Sequence, residues 1–145
     1  ICADDYDQIA PMAYVLMSCH AAQYPHLFSP PILVLSKRQF RAKLRQKTFV
    51  GIKAEESGRI LGFCCGSIKA PKTQKATLHI EDLYVQLDDR RRGIGQKLIQ
   101  QIKAEAINAG CRRITLCVWQ FNSEAMAFYK KLGFEPLVTT EEFFL

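Results

Sequence analysis

The sequence predicts a mixed α/β fold in which a mostly antiparallel sheet contains a central parallel βαβ unit and is flanked by helices. Segments 48–55 and 60–69 have strand composition and are separated by four turn residues, Glu56 to Arg59, a pattern typical of an antiparallel hairpin. A strand, a helix and another strand then follow in order between residues 77 and 119. This order predicts two parallel strands joined by a right-handed crossover.

Length and apolar content predict one domain. The chain has 145 residues, of which 48% are hydrophobic. That is enough to close one core and too few for two ordinary domains. We therefore expect residues 1–145 to form a single domain, although Ile1 is not an initiating methionine and the N-terminus could be truncated.

Net charge, apolar runs and cysteines give general expectations about partners, membrane segments and compartment. The formal net charge of +6 favours polyanions in general and does not choose among nucleic acid, a nucleotide cofactor and an acidic substrate. The longest apolar run, 9–22, contains Ser18 and His20 and is shorter than the roughly 20 residues of a membrane span, so we expect no membrane segment. Six cysteines without metal-ligand spacing predict reduced, buried thiols in a cytoplasmic protein with no metal site.

Two helices are expected before the hairpin. Asp7 is the predicted N-cap of the first, which carries Pro11 in its first turn and reaches about Ala22. Ser36 is the predicted cap of the second, over residues 37–47, whose surface is strongly basic. Residues 20–47 contain no Asp or Glu, which favours an acceptor substrate that carries a carboxylate or phosphate over a polyamine.

Two more helices and several strands complete the chain. A helix is predicted from about 93 to 109, followed by a strand over 112–119. Asn122 should cap the last helix and Gly133 should end it. Residues 134–145 suggest two short closing strands. Their edge is compatible with pairing to a second copy, that is, with a homodimer.

The strand over 77–86 has an irregular apolar pattern. Apolar side chains occupy even positions up to Ile80 and odd positions from Leu83 onward. A strand with one buried face changes parity only when it gains a residue, so Glu81 or Asp82 should lie at a β-bulge. A bulge leaves backbone groups unpaired and therefore available to a ligand.

The loop DDRRRGIGQK, residues 88–97, has the features of an anion cradle. A loop that leaves a strand and enters a helix presents free backbone N–H groups at the positive end of the helix dipole. Gly93 and Gly95 would let the backbone approach an anion, and the neighbouring arginines could bind phosphate. The third glycine of a dinucleotide fingerprint would fall at Leu98, and no Walker loop is present. A solvated surface turn is the alternative reading of the loop by itself.

Residues 80–134 carry a resemblance to a known family. The motif R-x-x-G-x-G at Arg90 to Gly95 is followed by N-x-x-A-x-x-x-Y-x-x-x-G-F from Asn122 to Phe134. Together they resemble the core of the GNAT superfamily of N-acetyltransferases, and the preceding hairpin and paired helices match that fold in order. The resemblance implies a GNAT-like fold and an acetyl-CoA-dependent N-acetyltransferase that acts on a primary amine of a small molecule or peptide.

The resemblance also implies roles for individual residues. The loop would hold the pyrophosphate of coenzyme A, the strand after the bulge would hold the pantetheine arm, and the last helix would contact the cofactor near its sulfur. The implied cofactor-binding residues are Leu83, Val85, Arg90, Arg91, Arg92, Gly93, Ile94, Gly95, Gln96 and Asn122.

Direct transfer of an acyl group needs a neutral amine, stabilisation of an oxyanion and a proton for the departing thiolate. Tyr129 is the candidate acid for the thiolate. Glu81 or Asp82 is the candidate base for the amine. We prefer Glu81 because its parity with Leu83 predicts that both side chains point to one face. A core aromatic and a sheet-surface carboxylate are the structural alternatives for Tyr129 and Glu81.

Other functions are less well supported by the residues. A nucleic-acid binder is suggested by the basic helix and the arginine triplet, but aromatic residues are not interleaved with the cations as single-strand binders require. A non-catalytic acyl-CoA-binding module of the same fold is a further alternative. A nucleophilic Cys64 or Cys65 beside His79 lacks an evident orienting acid, so buried structural cysteines are favoured.

Overall fold

The computed structural model of the chain describes residues 1–28, 35–71 and 75–143. Short 3₁₀ turns at Ala3–Asp5 and Leu87–Asp89 precede the first and third helices. The main elements are α1 (Tyr6–Gln23), α2 (Lys37–Leu44), β1 (Phe49–Glu56), β2 (Arg59–Lys69), β3 (Thr77–Val85), α3 (Ile94–Asn108), β4 (Arg113–Leu116) and α4 (Ser123–Lys131).

The strands form one sheet in the order β1-β2-β3-β4. The two pairs that involve β2 are antiparallel, whereas β3 and β4 are parallel, which confirms the hairpin and the βαβ unit. The hairpin turn has left-handed backbone at Ser57 (φ 50°) and Gly58 (φ 78°). Two consecutive positive φ angles are what a two-residue type I′ turn requires.

Each face of the sheet covers its own core. The face toward α3 contains the sheet residues Leu61, Cys64, Leu78 and Ile80 and the partly buried Phe128 and Tyr129 of α4. The buried residues of α3 on this face are Ile94, Leu98, Ile99, Ile102 and Ala106. The opposite face packs against α1 and α2; its buried residues are Ile9, Met12, Phe40, Ile60, Phe63, Cys65 and Tyr84. No helix in the described ranges is both long and apolar enough to cross a membrane.

The predicted bulge lies at Glu81. Cys65 of β2 is opposite Asp82, and the next residue, Gly66, is opposite Ile80, so Glu81 has no partner across the ladder. Gly66 is required at this point because a Cβ atom there would overlap the carbonyl oxygen of His79. The change of parity read from the sequence is therefore confirmed as one inserted residue.

The parallel ladder is short and leaves an opening in the sheet. Its last pair is Ile80 with Leu116, so β4 ends three residues before the predicted strand end at Trp119. Beyond the bulge, residues 82–85 still pair with β2, but residues 81–85 have no strand partner on their other edge within the described part of the chain. We call the space between residues 81–85 and residues 117–119 the opening.

The predicted closing strands are wrong for residues 134–143, which have no strand structure; residues 144 and 145 lie outside the described ranges. β4 is therefore one of the two edge strands of the described sheet. The segment is rich in exposed side chains, including Leu137 and Val138, and so lacks the buried face that stabilises a strand against a sheet.

The caps of α2 and α1 differ in how well the sequence predicts them. Ser36 and Gln39 form the predicted capping box, with Ser36 N donating to Gln39 Oε1 at 2.9 Å. The N-cap of α1 is Asp5 and not Asp7, so Pro11 lies inside the helix and not in its first turn. The prediction failed there because the preceding 3₁₀ turn runs directly into α1.

Candidate active site

The loop between β3 and α3 presents backbone donors. Arg91 (φ 62°) and Gly93 (φ 77°) both have left-handed backbone, and Gly93 is the N-cap of α3. The first intrahelical bond at this end joins Lys97 N to Gly93 O, so the N–H groups of residues 94–96 are the unpaired donors of the first turn. Together with the dipole of a 15-residue helix, they form a site suited to phosphate.

Arg92 stabilises the loop from within. Its guanidinium bonds to Asp89 Oδ1 at 2.5 Å and to the carboxylate of Glu56 at 3.3 Å. Asp89 is only 3% exposed, and its other oxygen accepts a hydrogen bond from Arg59 at 2.7 Å. Since a buried carboxylate needs such partners, Arg92 is committed to the loop and to the β1–β2 hairpin.

The other two arginines are differently engaged. Arg90 donates from Nε to the carbonyl oxygen of Val85 at 3.2 Å and so ties the loop to the end of β3. Arg91 is exposed and makes no hydrogen bond or ion pair with any described residue. Of the three arginines, Arg91 therefore has its guanidinium free for a ligand.

Gly93 and Gly95 differ in their surroundings. A Cβ atom at Gly93 would meet nothing within 4 Å, but its φ of 77° disfavours side chains. A Cβ atom at Gly95 would come within 3.3 Å of Phe128. Gly95 is thus needed for close packing of α3 against α4, in addition to any approach of a ligand. The neighbouring Gln96 is exposed.

α4 contributes two of the predicted site residues. Asn122 is its cap, with Oδ1 accepting from Ala125 N at 3.0 Å, so this oxygen already has a partner. Tyr129 packs edge-on against Phe128 and Phe134, with ring centroids 5.3 and 5.6 Å apart. Burial raises the pKa of Tyr129 to about 12. Its hydroxyl forms no hydrogen bond to the described residues.

Glu81 is held by two partners. Lys43 of α2 donates to Oε2, and Ser67 donates to Oε1 at 2.7 Å. Burial by itself would raise the pKa of Glu81, but the hydrogen bonds from Lys43 and Ser67 together bring that pKa below its usual value. Both oxygens of this carboxylate are occupied.

The expectation that Glu81 and Leu83 point to one face is wrong. Leu83 packs with the α3 face, whereas Glu81 contacts α2 on the opposite face. The inserted residue at the bulge reverses the alternation between the two positions. Lys43, which the sequence analysis did not single out, could have been found by its spacing of three residues from the buried Phe40 on α2.

Asp82 has no cationic partner among the described side chains. It lies opposite Cys65, whose thiol is 3.6 Å from Oδ2. Burial raises the pKa of Asp82, although the charge of Lys43 and the hydrogen bond from Cys65 act against this. Asp82 therefore differs from Glu81 in both bonding and proton affinity.

The side of the opening that faces α1 is lined with aromatic rings. We call this group the aromatic wall; it consists of His20, Tyr24, Phe28, Trp119 and Phe121. Trp119 is at the centre, with centroid distances of 4.9 Å to Tyr24, 5.8 Å to His20 and 6.0 Å to Phe28. His20, Tyr24 and Phe28 are near one another in the sequence, but sequence reasoning did not connect them with Trp119 and Phe121, because these two lie in the segment after β4.

The cysteines do not form a nucleophilic site. Cys64 and Cys65 are buried on opposite faces, and burial raises the pKa of Cys64 to about 12 and that of Cys65 further. His79 contacts Thr115 at 3.0 Å. The expectation of buried thiols is wrong for Cys2, Cys19 and Cys117, which are exposed. Across the described ranges, no three His, Cys, Asp or Glu side chains are grouped so as to hold a metal ion.

Comparison with solved structures identifies the same fold. A mutant of the BH1408 protein from Bacillus halodurans matches with a TM-score of 0.91 and 24% identity, covering 100% of this chain and 96% of that one. An aminoglycoside acetyltransferase from an uncultured soil metagenomic sample, in complex with sisomicin, matches with a TM-score of 0.77 and 17% identity, covering 100% and 93%. At these identities the likeness concerns the fold alone.

Comparison with curated proteins identifies the family. Thialysine N-epsilon-acetyltransferase of Bos taurus is 38% identical over 64 residues, which are 44% of this chain and 38% of that enzyme's length. The 5-NmdU N-acetyltransferase of Pseudomonas phage PaMx11 is 32% identical over 122 residues, 83% of this chain and 77% of the relative. The model of the acetyltransferase (GNAT) family matches residues 12–134. Given this match and the geometry of the site, the chain belongs to the acetyltransferase (GNAT) family.

Proposed function

We propose that this protein is an acetyl-CoA-dependent N-acetyltransferase that transfers an acetyl group directly to a primary amine of a small molecule or peptide. The observation that carries the proposal is the end of the parallel ladder at Ile80 and Leu116. The opening that begins there has the donor loop before α3 at one end. It has Tyr129 on one face of the sheet and Asp82 on the other.

The residues around the opening fit coenzyme A. The N–H groups of residues 94–96 and the free guanidinium of Arg91 supply donors for the pyrophosphate. The edge of β3 supplies backbone groups of Leu83 and Val85 for an extended arm; of these, the carbonyl oxygen of Val85 already accepts from Arg90. When bound, the cofactor supplies the acetyl thioester. The loop contacts of Arg90 and Arg92, and the capping role of Asn122, position these elements.

We assign the role of general base to Asp82 in preference to Glu81. A base must accept a proton from the ammonium group of the acceptor, directly or through a water molecule. Burial raises the pKa of Asp82, and its carboxylate lacks a cationic partner in the described structure. Glu81 has both oxygens occupied and a lowered pKa, so it is the poorer proton acceptor.

Tyr129 is assigned to the departing thiolate. A pKa of about 12 keeps its hydroxyl protonated at neutral pH. An ordinary thiol has a pKa of about 8.5, so complete transfer of the phenolic proton to a free thiolate is uphill. Tyr129 therefore acts mainly by donating a hydrogen bond to the sulfur as negative charge develops on it.

Asp82 accepts one proton from the ammonium group, and the neutral amine forms a C–N bond to the acetyl carbon while the C–S bond breaks. The nitrogen loses a second proton as the amide forms, and the thiolate takes up one proton to leave as a thiol. Backbone N–H groups of β3 at the opening would stabilise the oxyanion between these steps.

Mixing the protein with acetyl-CoA and a panel of amines, while free thiol is followed, tests the proposal. Thiol release that depends on the amine, with acetylated amine as the second product, is expected. Stabilisation of the protein by acetyl-CoA without release for any amine would favour the non-catalytic acyl-CoA-binding module. Failure of acetyl-CoA to bind would overturn both readings.

Location and assembly belong to the same proposal. All six cysteines are free thiols, which supports a reducing compartment such as the cytoplasm. β4 is at the edge of the described sheet, and an edge strand can pair with a second copy to form a homodimer. Nucleic acid is a weak candidate partner because Arg92 and Arg90 are bonded within the protein.

A further inference from the structure

The aromatic wall is partly exposed beside the reacting groups. Its five side chains are all half-buried, so each keeps some surface for a ligand. Phe121 lies 5.7 Å from Tyr24 and 6.1 Å from His20 between ring centroids. Asp82 follows the last parallel pair, Ile80 with Leu116, by two residues, and Trp119 follows it by three on the other side of the opening. The wall and the proposed base therefore border the same space, and the charge of Asp82 acts on the pKa of His20.

Most charged groups that face the space between the aromatic wall and Asp82 are paired or favoured in the neutral form. Lys43 and Glu81 form an ion pair, and burial lowers the pKa of His20, which favours the neutral imidazole. His79, on the same face, also has a pKa lowered by burial. Asp82 is the carboxylate left without a cation within the described part of this site.

The remaining charges lie farther out. His26 pairs with Glu142 at 3.3 Å, and both side chains are well exposed at the outer side of Tyr24. Arg41 of α2 and Arg45, the C-cap of that helix, line a separate surface cavity with Ile1 and Cys2. Lys37 pairs with Asp7. Lys43 is the residue of α2 whose charge acts on Asp82, and it is already paired with Glu81.

We propose that the acceptor is a primary monoamine carried on an aromatic or extended apolar body, with the amine at Asp82 and the body against the aromatic wall. This inference rests on the proposed function and specifies its acceptor. Aromatic faces bury apolar surface and attract cations. One unpaired carboxylate matches one ammonium group.

The same geometry disfavours two other classes of amine. A polyamine would bring additional ammonium groups to a site with one unpaired carboxylate in the described structure. A sugar phosphate or amino acid would bring an anion near Asp82, where Lys43 is already bound by Glu81. The sequence analysis favoured an anionic acceptor because residues 20–47 contain many cations and no Asp or Glu. The sequence does not show which partners those cations have or which way their side chains point.

A panel of four amines at saturating acetyl-CoA tests the acceptor class. The panel is phenethylamine, ethylamine, spermidine and glucosamine 6-phosphate, and the readout is kcat/KM from thiol release with the product identified by mass. Burial of an aromatic body is expected to favour phenethylamine over ethylamine by about tenfold or more. Phenethylamine should also exceed spermidine and glucosamine 6-phosphate.

Variants of the aromatic wall test whether the wall causes the preference for phenethylamine over ethylamine. Trp119→Ala should reduce kcat/KM for phenethylamine by about tenfold while changing that for ethylamine little, because ethylamine is too short to use the wall. Tyr14→Ala is the matched control, since Tyr14 is a 50% exposed aromatic residue of α1 outside the wall. Tyr24→Leu serves as a second wall variant, and the shift in melting temperature with acetyl-CoA reports whether each variant is folded.

The outcomes separate this inference from the proposed function. A preference for phenethylamine that Trp119→Ala or Tyr24→Leu abolishes, and Tyr14→Ala does not, supports the acceptor class. A preference for spermidine or glucosamine 6-phosphate, or an aromatic preference that survives in folded wall variants, overturns the acceptor class while transferase activity stands. Binding of acetyl-CoA without thiol release for any amine overturns the transferase proposal, and the acceptor class with it.

Discussion

Lys43 binds Glu81 across 38 residues of sequence and leaves Asp82, the next residue of the bulged strand, without a cation of its own in the described structure. The two neighbouring carboxylates thus have opposite pKa shifts, lowered for Glu81 and raised for Asp82. Two neighbouring acids whose pKa values are shifted in opposite directions commonly take different roles in catalysis. Lys43 decides which of the two is available.

We expect Asp82→Asn and Glu81→Gln to have unequal effects. Loss of a general base typically lowers the rate by about 10²- to 10⁴-fold, and we expect a decrease of that order in kcat for Asp82→Asn. Glu81→Gln should lower kcat by less than about tenfold, since the amide oxygen can still accept from Lys43 while the amide NH₂ donates to the hydroxyl oxygen of Ser67. Steady-state thiol release checks both, with acetyl-CoA binding measured as a control. The reverse order of effects would restore Glu81 as the base.

Lys43→Met should move the pH dependence of the reaction. The positive charge of Lys43 lowers the pKa of Asp82, so removing it raises that pKa. Because the base must be deprotonated to act, the acid limb of kcat/KM should move to higher pH. Lys43→Arg, which keeps the charge, should restore most of the original profile.

The matched control for Lys43 is Lys37→Met on the same helix. Lys37 forms an exposed pair with Asp7, far in sequence from the bulge, and its loss should leave the pH profile in place. An acid limb that stays at the same pH in Lys43→Met would show that Lys43 has a packing role only.

Tyr129→Phe should lower kcat and leave the affinity for acetyl-CoA almost unchanged. A hydrogen bond to a charged group contributes about 1.5–3 kcal/mol, which corresponds to roughly a 10- to 150-fold decrease in rate. The pKa of about 12 makes this hydrogen-bond contribution a better expectation than full proton transfer. Single-turnover kinetics isolate the chemical step. A Phe variant with unchanged single-turnover rate would reduce Tyr129 to a packing residue.

Substitutions of Arg91 and Arg92 should have different effects, the first on cofactor binding and the second on the stability of the free protein. Acetyl-CoA at a hundred times its Kd should stabilise the protein by about 2.7 kcal/mol. Arg91→Ala should reduce this stabilisation at a given cofactor concentration and leave the melting temperature of the free protein nearly unchanged, because the side chain has no described partner. Arg92→Ala should lower the melting temperature of the free protein, because the buried Asp89 loses one of its two cations. Thermal melts with and without acetyl-CoA measure both effects.

Much of this fold could be predicted from the sequence, because the features concerned depend on residues that are close together in the chain. Turn residues marked the hairpin, a glycine and arginine loop marked the start of α3, and Ser36 and Asn122 were identified as helix caps. The parity change in β3 predicted the bulge, because side-chain alternation in a strand depends only on neighbouring residues. These features are decided within a few residues of the chain.

Only the tertiary structure decided which groups at the site are free. Lys43 binds Glu81 and leaves Asp82 without a cation in the described structure. Asp89 and Glu56 hold Arg92, whereas Arg91 has no described partner. The aromatic wall likewise joins α1 to the segment after β4. Hydrogen bonds, ion pairs and ring contacts form between side chains that the fold brings together from distant parts of the chain. No local pattern records which partner a charged or aromatic side chain will meet.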